Sequence, residues 1–173
     1  MRPAALASDA GARLPPRLDA VLDVIPAAYS VADIGTDHAL LARALALRGH
    51  RVVATEVRLG PWGAARRNLG SLLDGGSVEL RLGPGLSPLA PGEVDALVIA
   101  GMGGRRIAQI LDQGWEVASQ ARLLLLQPMQ QADFLLAWLR ARVEVVNHLL
   151  VSDRRRRYTW LSCPLVACRL ALR

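Results

Sequence analysis

Apolar residues in this chain follow two alternating patterns. Short, nearly unbroken apolar runs occur around Val31–Ile34, Val52–Ala54, Val94–Ala100 and Leu123–Leu126. A strand covered on both faces of a parallel sheet has this composition. Between the runs, apolar residues recur every third or fourth position, the stripe of an amphipathic helix. The first such stripe, Leu18, Val21, Leu22 and Ile25, predicts a helix that begins at Pro15-Pro16 and ends before Pro26, proline being favoured in a first turn. A strand over 30–35, a helix over 38–47 stopped by Gly49, and a strand over 51–56 follow. Gly60-Pro61 opens a helix through Leu73, Asp74-Gly-Gly-Ser77 is a turn, and 78–82 is a strand with a loop at Gly83-Pro84-Gly85. The run over 94–100 is a strand, Gly101-Met-Gly-Gly104 the turn after it, and 105–111 a helix. A strand over 122–127, a helix over 131–141 and strands over 143–151 and 158–163 complete the set, the last two joined by Ser152–Arg157.

Strand and helix alternate five times before a closing strand pair, which predicts a parallel sheet wound on both faces. The last connection is too short for a crossover, so the final strand is antiparallel. The predicted fold is α/β and Rossmann-like: a seven-stranded, mostly parallel sheet with helices on both faces, the plan of class I methyltransferases that use S-adenosyl-L-methionine (SAM). Residues 1–173 are read as a single domain whose small, polar residues 1–12 are flexible.

Composition narrows the partners. The hydrophobic content of 52% suits a packed core. No apolar run approaches the ~18 residues of a membrane span, and the N-terminus lacks the continuous apolar region of a secretion signal. The chain is therefore read as cytoplasmic. Cys163 and Cys168 lack neighbouring histidines, so they are read as reduced structural thiols and no metal site is expected. The formal charge is +6 and every cation is arginine. Arginine's planar fork pairs with phosphate, which makes nucleic acid the leading large partner.

The candidate chemistry gathers at strand ends. Val31-Ala-Asp-Ile-Gly-Thr-Asp-His38 runs from a strand through one glycine into a helix start. Its turn carries two acids, which disfavours a pyrophosphate and favours a ligand with positive charge or hydroxyls, such as SAM. Glu56 ends the second strand about twenty residues later, where an acid accepts hydrogen bonds from ribose. Thr36 and Asp37 are equally suited to capping the next helix. His38 is read as packed against the turn, and His50 and His148 as structural. Gly101–Gly104 follows the most apolar strand and leaves backbone groups open to a ligand. Arg105 and Arg106 begin a helix, where positive charge opposes the helix dipole; an anionic partner and simple solvation both remain open. The same holds for Arg154, Arg155, Arg156 and Arg157. Trp62, Trp115, Trp138 and Trp160 are read as packing residues.

These stretches together resemble the TrmK family of bacterial tRNA (adenine(22)-N1)-methyltransferases. The matching strings are RL at 17–18, VADIGTDHA at 31–39, EV and GP within 56–61, RLG and GL within 81–86, IAGMGG at 99–104 and LQP at 126–128. The resemblance implies a SAM site formed by Asp33, Gly35, Thr36, Asp37, His38, Glu56 and Val57, closed by Gly83, Gly85, Ala100 and Gly101. It implies a target adenine in tRNA presented at Met102, Gly103, Gly104, Gln127 and Pro128, with Arg17 nearby. The family has an acid where Pro84 stands, an asparagine where Met129 stands and a tyrosine where Leu40 stands. Its C-terminal helical extension is expected to be absent. The alternative expectation is a diverged SAM-binding relative with lost or altered RNA activity. An NAD-dependent oxidoreductase is a further reading that Glu56 permits and the missing G-x-G-x-x-G disfavours.

Overall fold

A computed structural model of the chain describes residues 14–153 and 156–165. The expectations for residues 1–12, Arg154, Arg155 and Cys168 lie outside these described residues. The elements run in the order α1 Pro16–Leu22, β1 Val31–Ile34, α2 Leu40–Leu47, β2 Val52–Glu56, α3 Leu59–Leu69, α4 Ser71–Asp74, β3 Val78–Leu82, β4 Ala96–Gly103, α5 Gly104–Gln113, α6 Trp115–Ala118, β5 Leu123–Gln130, α7 Ala132–Arg140, β6 Asn147–Asp153 and β7 Arg156–Pro164.

The strands form one sheet in the order β3-β2-β1-β4-β5-β7-β6. The pairs β1–β2, β1–β4, β2–β3 and β4–β5 are parallel, while β7 runs antiparallel to both β5 and β6. The predicted seven-stranded, mostly parallel sheet is therefore the observed one. Alternate residues of the central strands feed two cores, because successive side chains leave a strand on opposite faces. Ile34, Leu97, Ile99, Leu124 and Leu126 pack on one face with Ile107 and Leu111 of α5 and Leu135 and Leu139 of α7. Val31, Val98 and Leu125 pack on the other with Leu18 and Val21 of α1 and Leu41 and Leu45 of α2. Trp160 joins the second core, and its Nε1 donates 2.8 Å to the Arg17 carbonyl, tying β7 to α1.

Several boundaries differ from the sequence pattern for physical reasons. Ile25 is buried as expected but lies outside α1, since a residue before proline is pushed out of the helical region. The helix predicted through Leu73 is broken at Gly70, which takes φ +49°, a conformation open to glycine at low cost. α2 begins at Leu40 rather than His38, with left-handed backbone at Asp37 and Ala39 before it. The Gly101–Gly104 turn is not a turn throughout. β4 continues to Gly103 by pairing with β5, through register shifts on either side of Met102. Pro128 likewise lies inside β5, opposite Met102.

The β4–α5 junction fits tightly against the start of α7. A Cβ placed on Gly104 would collide with the carbonyl oxygen of Gln131. Backbone cannot swing aside as a side chain can, so Gly104→Ala should destabilise the fold by roughly 1–3 kcal/mol. Denaturant titration of the purified variant checks this, and an unchanged midpoint would refute the packing described.

Candidate active site

At the carboxyl edge of the sheet, β1 sits between β2 and β4, where the strand order changes direction. Open α/β sheets bind ligands at such a point. A cleft of about 400 Å³ opens there, within the ~300–1,000 Å³ typical of small-molecule sites. Its walls come from the carboxyl end of β4 and the turns after β1, β2 and β3, with α1 and α5 at the sides.

Two carboxylates form its floor, and both are buried: Asp33 is 4% exposed and Glu56 3%. Glu56 accepts backbone N–H groups at both oxygens. Val57 and Arg58 donate to Oε1 at 2.9 Å each, and Asp37 donates to Oε2 at 3.2 Å. One side chain thus clamps the β1 turn to the β2 turn. The guanidinium of Arg58, largely exposed, stands 3.6 Å from the same Oε1. Asp33 receives the Thr36 hydroxyl at 2.6 Å. Burial nevertheless pushes its carboxyl up to about 6, with the hydrogen bonds from Thr36 and the Ala42 backbone acting against that rise.

Glycine shapes the rest of the cradle. Gly35 has φ +69°, and a Cβ there would strike the methyl group of Met102. Gly101, at φ +78°, has open space where its Cβ would be. The Gly83–Gly85 loop is fixed by Gly83 N–H donating 2.9 Å to the Glu56 carbonyl and by the Thr55 hydroxyl directed at Gly85 O.

The structure places Asp33, Gly35, Thr36, Asp37, His38, Glu56, Val57, Gly83, Gly85, Ala100, Gly101, Met102, Arg17 and Arg106 on the cleft wall. The other expected residues sit elsewhere. Gln127 is fully buried; its Oε1 accepts Gly101 N–H at 3.2 Å and its Nε2 donates 3.2 Å to the Pro128 carbonyl. It therefore positions the end of β4 and does not face the cleft, and Pro128 is buried beside it. Gly104 is buried at the start of α5, and Gly103 is half-buried on the far side of Met102. Neither Asp37 nor Thr36 caps α2: Asp37 is exposed and Thr36 turns to Asp33. His38 is exposed on the rim, 3.8 Å from Asp37, and is not packed against the turn. His50 is structural, with Nδ1 2.8 Å from the Tyr29 carbonyl, whereas His148 is exposed on β6. Sequence reasoning missed Arg58, whose signal was its position two residues after the strand-ending acid, and Ile110, which α5 brings to the wall.

Arg105 is exposed, its guanidinium 4.2 Å over the Phe134 ring. Arg156 and Arg157 are exposed at the start of β7. Because β7 runs antiparallel to β5, with Leu161 opposite Leu126, its start rises from the edge that holds the cleft. Arg17 lies over Tyr158 at 5.8 Å and links that hairpin to the cleft. The tryptophans pack as expected: Trp160 in the core, Trp115 against Trp138 edge to face at 5.8 Å, and Trp62 half-buried under Arg66. Cys163 is free and buried, which pushes its thiol up to about 12. Among the described residues no group of three or more His, Cys, Asp or Glu could hold a metal ion, and no helix is long and apolar enough to cross a membrane.

Comparison with known proteins agrees with this geometry. A family described as "Methyltransferase domain" matches residues 14–161. The tRNA (adenine(22)-N(1))-methyltransferase of Bacillus subtilis strain 168 is 34% identical over 145 residues, which cover 82% of this chain and 60% of that protein. The crystal structure of the B. subtilis M1A22 tRNA methyltransferase TrmK superposes with a TM-score of 0.79 at 32% identity, covering 88% of this chain and 66% of that one. Streptococcus pneumoniae Sp1610 in complex with S-adenosyl-L-methionine gives a TM-score of 0.80 at 31% identity, covering 86% of this chain and 71% of that one. The chain thus spans about three-fifths of the curated relative's length.

The buried Asp33 makes fold stability depend on pH. Its folded value, about 6, lies above the ordinary 3.8. The native state therefore holds a proton more tightly than the unfolded chain, and stability falls as pH rises from near 4 through about 6. The loss amounts to about 3 kcal/mol, at ~1.4 kcal/mol per unit. Asp33→Asn cannot ionise, so the stability difference between it and the wild type should shift in its favour by that amount across this range. Urea titrations at several pH values would show this; a constant difference would contradict the assignment.

Proposed function

We propose, because the chain belongs to the methyltransferase-domain family and to its tRNA (adenine(22)-N(1))-methyltransferase branch, that it transfers a methyl group from SAM to ring N1 of an adenine in tRNA. The observation that carries this reading is the pair of buried carboxylates ending two adjacent strands, with a glycine bend alongside. Two buried acids facing one cleft suit a ligand that brings hydroxyls and positive charge, and oppose one that brings phosphates.

When bound, SAM supplies a methyl group on a positively charged sulfur, open to displacement by a lone pair. Glu56 is the residue to hold the ribose hydroxyls, since its carboxylate is already fixed by three backbone N–H groups. Asp33 faces the positive part of the ligand. Gly101 lets the ligand approach the backbone, and Gly35 makes room for the Met102 methyl group on the cleft wall. Adenine N1 carries its own lone pair, so the chain needs no general base for this transfer. Its task is to present the base in line with the methyl group, and such alignment is worth up to ~7–11 kcal/mol. Exposing N1 requires a base taken out of pairing and stacking, which costs a few kcal/mol. Contacts between phosphates and the edge arginines, Arg17, Arg106, Arg156 and Arg157, offset that cost. A tRNA substrate places the reaction in the cytoplasm.

Incubation with SAM and a tRNA transcript carrying adenine at position 22 should yield 1-methyladenosine by nucleoside mass spectrometry, and a transcript with guanine there should not. Glu56→Ala should weaken SAM binding by at least about tenfold, the effect of losing hydrogen bonds to a charged group. Absence of product with the wild type, or undiminished SAM affinity in the variant, would overturn the reading.

A further inference from the structure

Beside Met102 and Arg106 of the cleft wall, the ends of β4 and β5 and the starts of α5 and α7 bring together side chains that do not line the cleft themselves and to which the transfer reaction assigns no task. Phe134, in the first turn of α7, is 38% exposed, and the guanidinium of Arg105 lies 4.2 Å over its ring. Among the described residues Arg105 reaches no carboxylate, so its exposed partner is the aromatic face. Gln130 ends β5 and is exposed. Its Nε2 lies 3.5 Å from where a Cβ on Gly103 would stand, and its amide has no hydrogen-bond partner among the described residues. Gly104 is pressed against the Gln131 backbone, so Arg105, Gln130 and Phe134 belong to one packed junction. An exposed ring, a stacked guanidinium and a free amide together make the recognition set for an unstacked nucleobase.

We propose that Phe134, Arg105 and Gln130 form a shelf that holds the target adenine, a reading that rests on the RNA methyltransferase activity above. The ring and guanidinium take the face of the base. The Gln130 amide offers one donor and one acceptor, which match N7 and the N6 amino group on the Hoogsteen edge of adenine. Held by that edge, the base keeps ring N1 unpaired, and N1 is the atom that must attack. The shelf also accounts for selection of adenine, because guanine presents two acceptors on the same edge.

The test measures steady-state methylation of the tRNA transcript, SAM affinity by calorimetry and thermal melting for wild type, Phe134→Leu, Phe134→Tyr and Gln130→Ala. A second transcript carries 7-deazaadenosine at the target position, which deletes N7 and spares N1. Phe134→Leu should raise the KM for RNA about tenfold, the size of one lost base–aromatic stack, with SAM affinity and melting unchanged and Phe134→Tyr close to wild type. The 7-deaza substitution should cost the wild type about tenfold and cost Gln130→Ala nothing further. An unaltered KM in Phe134→Leu, a loss matched by falling SAM affinity or melting temperature, or a 7-deaza penalty that persists in Gln130→Ala overturns the shelf while methylation by the wild type stands. A wild type that methylates neither transcript removes the activity and the shelf together.

Discussion

The site depends on one buried anion. Glu56 sits where β2 ends, and its carboxylate gathers N–H groups from the turn after β1 and from the turn after its own strand. A charge this deep is tolerated only when hydrogen bonds replace its lost water. Here the replacements are backbone groups that the two turns must aim inward. Asp37 accordingly holds a left-handed conformation, φ +52°, while its N–H points at Glu56. Such strain at a non-glycine residue persists only where the surroundings impose it, and it concentrates at functional sites. Removing the carboxylate would leave three inward donors without an acceptor.

Asp33 lacks this support. It has the Thr36 hydroxyl and a backbone hydrogen bond, and burial still dominates its ionisation. The floor of the cleft therefore pairs a carboxylate fixed by three backbone N–H groups with one that is reluctant to ionise alone. Arginines stand around the opening: Arg17, Arg58 and Arg106 on the wall, Arg156 and Arg157 along the same sheet edge. An acidic floor under a basic rim separates a cationic small molecule from a polyanionic one by depth. The strand order produces that layering, because it places the carboxyl ends of β1, β2 and β4 side by side.

Much of this was legible in the sequence because it is written in local patterns. Unbroken apolar runs marked the parallel strands, and acids at the ends of two of them marked the cleft. Side-chain direction was harder to read. Gln127 turns inward to hold Gly101 N–H, a consequence of the irregular pairing of β4 with β5 that no residue spacing announces. Thr36 and Asp37 looked like a helix cap; instead the backbone at Asp37 and Ala39 is left-handed and the hydroxyl serves Asp33. The helix break at Gly70 was visible only as a glycine in a favourable stretch. Phe134 read as one more apolar residue of α7, because its exposure and its contact with Arg105 depend on how α5 and α7 meet.

The measurement that bears most directly on this account is SAM affinity as a function of pH, for the wild type and Asp33→Asn. A cationic ligand favours the ionised carboxylate, so binding to the wild type should weaken about tenfold for each unit below about pH 6. The variant should bind more weakly at neutral pH and show no such slope. Folded protein that fails to bind SAM, or equal slopes in the two proteins, would contradict the idea that two buried acids form the cradle.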